Sequence, residues 1–290
     1  MNNPIILHCN YVEQGQTIDE MCTSAVAWGY DGIEFRRRRF EVEEKPLDYL
    51  DAIASAVDRS GLKHVLFGAP GPDLKQPDAA VRKREVDEMI DFFRAAAKRF
   101  KLTVCNTMAG SLQSERPFFE FDRHGSAIAT DEQFAAAVEG FQKLGDLATE
   151  LGFRFAFELH NVYLHDLPEP SRRLVDAIGR DSVGLNLDYG NIRLYPENPV
   201  SLEQSLEICR DHMYLVHLKN IYILGGEKYY NWIMCPLSDG AINNRQMLSI
   251  LQDQGYDGPL VIESPREGDR QSFATEDLAY LKSIMDELDR

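Results

Sequence analysis

Four side chains able to bind metal or carry protons end four apolar, strand-like stretches: Glu158, Asp188, His217 and Glu263. Successive side chains of a strand point to opposite faces. In the run from Arg154 to His160, Phe155, Phe157 and Leu159 therefore share one face, while Ala156, Glu158 and His160 share the other. Between Val183 and Asp188 the large apolar residues alternate with Gly184, Asn186 and Asp188. His217 closes the run from Tyr214 to Leu218, and Glu263 closes the run from Leu260. Three carboxylates gathered at one point repel one another and are costly to desolvate, and a cation between them resolves both problems. Carboxylate oxygens joined by one imidazole suit Mn²⁺, Mg²⁺, Co²⁺ or Zn²⁺, and the absence of a thiolate from the set argues against a structural zinc site. A lone histidine on a strand is more often a satisfied core residue. Four metal-capable groups at equivalent places on successive strands are a pattern that core packing does not require.

The elements that must position these groups read as an alternation of strand and helix. Strands are expected at 5–11, 31–37, 64–69, 102–107 and 154–160, with three more ending near Asp188, His217 and Glu263. Helices are expected at 17–29, 46–61, 79–100, 131–151, 168–179, 201–209 and 243–254, with a last one from about Thr275. Helix-start chemistry at Thr17 to Glu20, Pro46 at a first turn and Gly61 at an end mark the boundaries. Strict alternation implies a parallel sheet. Eight units in this length predict an α/β fold, a (β/α)₈ TIM barrel forming one domain over residues 1–290. The open doubly wound alternative would call for a glycine-rich loop after the first strand, and Asn10 to Gly15 has no such pattern.

In such a barrel catalytic groups lie at the carboxyl ends of the strands. Glu158, Asp188, His217 and Glu263 meet that condition on strands five to eight, at spacings of 30, 29 and 46 residues, the last lengthened by an insertion. By the same parity His8, Glu34 and Asn106 face inward, and His160 lies two residues beyond Glu158; these are candidate substrate contacts. Lys219, two residues past His217, could meet a developing oxyanion. Trp232, with Tyr229 and Tyr230, could stack on a sugar or pack a lid. Arg266 is a candidate anion reader, and Arg36 to Arg39 could bind an anion but suit a solvated charge run better. The polar segment 109–130 is long enough to be a lid.

Composition narrows the partners. The chain of 290 residues carries 31 basic and 47 acidic side chains, a formal charge of −16. Such a field repels nucleic acid and anionic membranes, and no apolar run approaches the ~18 residues of a membrane span. Five scattered cysteines, never in a C-x-x-C pair, favour free thiols in a reducing compartment. Residues 1–4 show no basic region leading into an apolar one, so a cytoplasmic location is expected.

The segments Phe157-Glu158, Leu187-Asp188-Tyr189-Gly190-Asn191, Val216-His217-Leu218-Lys219 and Asp257 to Glu263 together resemble the xylose isomerase-like TIM-barrel superfamily over essentially the whole chain. That group includes sugar and sugar phosphate isomerases and epimerases, inosose dehydratases and abasic-site endonucleases. The resemblance implies one divalent metal, commonly Mn²⁺, held by Glu158, Asp188, His217 and Glu263. It implies chelation of a sugar or keto-sugar and proton abstraction next to its carbonyl through a stabilised enediolate. Glu158 and Glu263 would be the catalytic acid–base pair, in a homodimer or homotetramer. The leading expectation is thus a metal-dependent sugar isomerase or epimerase, and the alternative is a dehydratase or lyase of a keto-sugar or inosose. Asn191 stands where many relatives have His, and residues 219–224 hold no Arg, which departs from the ketose 3-epimerase pattern. With the charge of −16, Asn191 also counts against the endonuclease branch.

Overall fold

The structure is a computed structural model that describes residues 1–116, 120–195, 200–226 and 229–290. Its strands are β1 (Ile5–His8), β2 (Gly32–Arg36), β3 (His64–Gly68), β4 (Val104–Thr107), β5 (Arg154–Glu158), β6 (Val183–Asp188), β7 (Met213–Leu218), β8 (Ile221–Gly226), β9 (Tyr229–Met234) and β10 (Leu260–Ile262). Eight of them form one parallel sheet in the order β3-β2-β1-β10-β7-β6-β5-β4. Its two ends, β3 and β4, also approach one another, so the sheet curls into a nearly closed barrel. The expected TIM barrel is the observed one. β8 and β9 are the insertion, an antiparallel hairpin standing outside the barrel wall.

The helices are α1 (Ile18–Trp28), α2 (Pro46–Ser60), α3 (Ala79–Ala96), α4 (Asp131–Leu151), α5 (Pro168–Ile178), α6 (Tyr189–Arg193), α7 (Leu202–Cys209), α8 (Asn244–Asp253) and α9 (Arg270–Leu288). Local chemistry starts and stops them. Thr17 and Glu20 satisfy each other's backbone in a capping box at α1, and Thr130 with Gln133 does the same at α4. α1 ends where Gly29 turns left-handed at φ 92°, a conformation that glycine adopts without steric cost. Several boundaries differ from expectation. β1 ends at His8, with Cys9–Tyr11 forming a 3-10 turn, and β4 starts at Val104 rather than Leu102. α3 stops at Ala96, short of Phe100; α9 begins at Arg270 because Asp269 accepts from Ser272 N–H and caps it; and β5 ends at Glu158, leaving His160 in the loop beyond.

Two apolar layers hold the barrel. The larger lies between strands and helices and includes Phe35, Phe67, Phe93, Phe141, Phe155 and Phe157. The smaller is the barrel's own filling: Ile6, Leu66, Val104, Ala156, Leu215 and Val261. Two residues further along each of these strands, on the same face, come His8, Gly68, Asn106, Glu158, His217 and Glu263. An apolar floor thus carries a polar layer directly above it. That two-residue step is what delivers the site.

The described residues of the segment 109–130 pack against the rest of the chain rather than standing detached as a lid. Ser111 bridges to Tyr163, Leu112 N–H donates to Val162 O at 2.6 Å, and Leu112, Phe121 and His124 are buried. All five cysteines are free and buried, and among the described residues no helix is long and apolar enough to cross a membrane.

Phe93 on α3 is fully buried, with ring centroids 4.8 Å from Phe155, 5.3 Å from Phe92 and 5.5 Å from Phe153. Phe93→Ala is expected to cost about 3–5 kcal/mol. Urea unfolding should show a lower midpoint at an unchanged slope. A loss no larger than that of an exposed substitution would mean that this cluster does not anchor α3.

Candidate metal centre

One donor atom from each of Glu158, Asp188, His217 and Glu263 lies within 4.8 Å of all the others. Glu158 and Asp188 are the last residues of β5 and β6, and Asp188 stands opposite His217 of β7 in register. Glu263 follows β10, and its N–H donates to Leu218 O at 2.8 Å, continuing the ladder by one residue. The first three are almost wholly buried, while the Glu263 side chain keeps 14 % of its surface. The opening therefore lies on the Glu263 side.

His217 is the hub. Its Nδ1 lies 2.8 Å from Glu263 Oε2 and 3.9 Å from Glu158 Oε2, and its Nε2 lies 2.9 Å from Glu34 Oε2. Lys219 Nζ lies 2.6 Å from Asp188 Oδ2, 3.4 Å from Glu263 Oε2 and 3.3 Å from Asn191 Oδ1. The Lys219 stem occupies the space above Gly190, where a Cβ would fall 2.0 Å from Lys219 Cγ. Four carboxylates and three potential cations, His8, His217 and Lys219, thus share one buried volume.

The two glutamates are treated differently. Glu158 accepts from two neutral amides, Asn106 Nδ2 at 2.9 Å and Asn191 Nδ2 at 2.9 Å. Burial, together with the charge of Glu263, pushes its carboxyl up, with His217 and Lys219 opposing. Glu263 is pushed up by burial too, but His8, Lys219 and His217 carry it well below the usual carboxylate range. Asn10 Nδ2 adds a hydrogen bond to Glu263 at 3.1 Å. Burial raises Asp188 to about 6, against the pull of Lys219. Burial disfavours a charged His217 and a charged Lys219, yet the surrounding carboxylates raise both, chiefly Glu34 for His217 and Asp188 for Lys219.

The donor set fits a hard divalent ion. Asp188 Oδ2 is buried and accepts no well-directed hydrogen bond, so the Lys219 ammonium offers it charge without geometry. Oxygen donors with one imidazole, held on a rigid strand arc, are what such ions prefer.

Of the residues expected to line the site, Glu34, His8, Asn106 and Lys219 are at it. Half-buried His160 sits at its edge, Nδ1 donating to Asn161 O at 2.8 Å. Trp232 is elsewhere: it stands opposite Ile223 on the hairpin and packs against the patch of Phe121, Leu194, Tyr195 and Ile221. Arg266 is also elsewhere. Its guanidinium Nη1 pairs with Asp277 at 3.0 Å and donates to Cys235 O at 3.0 Å, and the group stacks on Phe273, so its contacts are with the packing of α9. Arg36 pairs with Glu13 at 2.7 Å, Arg37 donates to Pro70 O at 2.9 Å, Arg38 lies 3.6 Å from Glu88 and Arg39 lies 2.6 Å from Glu44. The side chains of Tyr229 and Tyr230 lie outside the described residues.

Four contributors were missed, among them Asn191, which donates to Glu158 Oε1 at 2.9 Å and accepts from Lys219 at 3.3 Å. Asn10 lies in a tight turn after β1, where strand parity no longer tells direction. Asn186 was visible by parity as the inward residue before Asp188; it is fully buried with both amide atoms unpaired. His165, in the loop after β5, donates Nδ1–H to Glu158 O at 2.6 Å and accepts from Ala109 N–H at 3.1 Å, and no spacing rule announces it.

A family model described as xylose isomerase-like TIM barrel matches residues 22–284. Inosose dehydratase of Lacticaseibacillus casei is 24 % identical over 285 residues, 93 % of this chain and 89 % of that protein. A xylose isomerase-like TIM barrel protein from Mycobacterium smegmatis, solved in complex with magnesium, superposes at a TM-score of 0.77 with 16 % identity, over 99 % of this chain and 98 % of that one. An L-ribulose 3-epimerase superposes at 0.76, also with 16 % identity, over 99 % and 96 %. At that identity the two structures speak to the fold alone.

Burial lowers the His165 imidazole from 6.5 to about 4. Between those values the unfolded chain takes up a proton that the native protein refuses, so stability falls as pH falls through the window, by up to about 3 kcal/mol. Urea unfolding at neutral pH and near pH 4.5 should show the wild type losing about 2 kcal/mol more than His165→Gln. Equal losses would show that His165 is not held neutral.

Proposed function

The chain belongs to the xylose isomerase-like TIM-barrel family, and from that premise we propose that it is a divalent-metal-dependent enzyme acting on a polyhydroxylated ketone. It removes a proton next to the carbonyl and then expels a hydroxyl as water. The observation that carries the proton transfer is the unequal pairing of Glu158 and Glu263 around one imidazole nitrogen. The full-length likeness to an inosose dehydratase supports the second half, loss of water from a cyclic keto-polyol.

Glu158, Asp188, His217 and Glu263 would hold the ion, Mn²⁺ or Mg²⁺ by donor type. Bound there, the ion would polarise the carbonyl and stabilise the negative charge that follows proton loss. The chain's own groups divide the remaining work. Glu263, kept ionised by His8, Lys219 and His217, takes the C–H proton. Glu158, whose carboxyl burial pushes up, is placed to return a proton to the departing hydroxyl. The C–H and C–O bonds break, a C=C bond forms between the two carbons, and water leaves with no change of oxidation state. Lys219 places its ammonium beside Asp188 and Glu263, where it can donate to the enolic oxygen. Asn106 and Asn191 keep the Glu158 carboxyl in place, and His160 at the rim is placed to meet a substrate hydroxyl.

Isomerisation or epimerisation is a second reading with its own support. Glu158 and Glu263 stand at the two ends of the arc β5-β6-β7-β10. That separation suits removal of a proton from one face of a carbon and return to the other.

Incubation of the Mn²⁺- or Mg²⁺-loaded protein with inososes and open-chain ketoses in D₂O separates the two. Dehydration gives a product lighter by one water, and isomerisation gives an isomer carrying exchanged deuterium. Glu158→Gln and Glu263→Gln should each lower kcat about 10²–10⁴-fold, and a chelator should abolish turnover. If neither substrate class exchanges or turns over with any of these ions, the proposal fails.

A further inference from the structure

Glu34 has no place among the four donors, yet it is completely buried at the heart of the site. It comes from β2, which two strands, β1 and β10, separate from β7 in the sheet order. Its carboxylate therefore reaches across the barrel interior to meet His217 Nε2 at 2.9 Å. The space it uses exists because position 68 is glycine: a Cβ there would fall 2.2 Å from Glu34 Oε1. Asn106 Nδ2 lies 3.3 Å from that same Oε1 and 2.9 Å from Glu158 Oε2, so one amide spaces the two carboxylates. Exposure is zero on both sides of the His217–Glu34 contact, so water does not compete for it.

An ionised carboxylate only accepts hydrogen bonds, so an imidazole nitrogen facing one carries a proton. Both nitrogens of His217 face carboxylates, and an ion among the four donors would displace the proton from the nitrogen on its own side, leaving the other paired with Glu34. Nε2 faces Glu34, and Nδ1 faces Glu263 and Glu158, on the side of the four donors. A ring free to flip, or to carry its proton on Nδ1, would offer that side no lone pair. Carboxylates placed behind ligating histidines fix tautomer and ring orientation.

We propose that Glu34 is a positioning residue: seated in the gap left by Gly68, it fixes His217 as the tautomer that presents Nδ1 to the divalent ion. The proposal rests on the metal-dependent reading given above. It assigns Glu34 no contact with substrate and makes Gly68 a requirement of the same device.

The test uses isotopically labelled histidine and the full chain. In the Zn²⁺-loaded wild type, nitrogen–proton correlation spectra should show His217 protonated at Nε2 and metal-shifted at Nδ1. Glu34→Ala should lose that single pattern, and Mn²⁺ titration calorimetry should show binding weakened about 10–100-fold. Glu34→Gln, which keeps the shape and an accepting oxygen without the charge, should bind at an intermediate level. Gly68→Ala, which keeps the carboxylate but takes its space, should shift both readouts as Glu34→Ala does. Circular dichroism checks that each variant is folded, and if Glu34→Ala is not, Glu34→Gln and Gly68→Ala decide. Variants that bind Mn²⁺ as tightly as the wild type with the His217 pattern unchanged overturn the proposal alone. A wild type that binds no divalent ion overturns both the proposal and the metal-dependent function.

Discussion

Uncompensated negative charge in a dry place is the constraint on which this site depends. Glu34, Glu158, Asp188 and Glu263 converge where little water reaches. Taking a carboxylate out of water costs on the order of several kcal/mol even after the protein relaxes. The chain answers with His217 between Glu34 and Glu263, Lys219 on Asp188, and amides from Asn10, Asn106 and Asn191. A divalent ion would complete that compensation. The compensation is uneven, and the unevenness is useful: cations gather on Glu263 and neutral amides on Glu158, so one carboxyl is held ionised while burial favours the proton on the other.

The barrel makes such a concentration of charge tolerable by laying it on an apolar base. Ile6, Val104, Ala156, Leu215 and Val261 fill the cylinder. The next inward residue of each strand belongs to the polar layer, so His8, Asn106, Glu158, His217 and Glu263 each follow a packed inward residue of their own strand. Small residues decide what fits between. Gly68 leaves room for Glu34, and Gly190 leaves room for the Lys219 stem. Outside the wall, His165 ties the Glu158 carbonyl to the 109–130 loop, so the end of β5 is fixed from both sides.

Much of this was legible because a parallel barrel obeys two simple periodicities. Alternation along β5, β6, β7 and β10 placed Glu158, Asp188, His217 and Glu263 on the inner face, and the strand–helix repeat placed them at one end of the cylinder. The same parity put His8, Glu34 and Asn106 inward, as observed. Legibility stopped where regular structure stopped. Asn10 and His165 lie in turns without a period. Arg266 and Trp232 sat close in sequence to the site, but the hairpin and α9 offered them packing partners nearer than any substrate.

The amino-acid order by itself determined the barrel, the four strand-end donors and the chemistry those donor types allow, because side-chain direction in a strand follows from position alone. Only the tertiary structure decided who stands next to whom across the interior. That Glu34 of β2 meets His217 of β7, that Lys219 turns onto Asp188, and that Glu158 and Glu263 differ in their neighbours are facts of closure. Residues 183 positions apart in the chain become hydrogen-bonding partners only when the sheet curls, and no local rule encodes that distance.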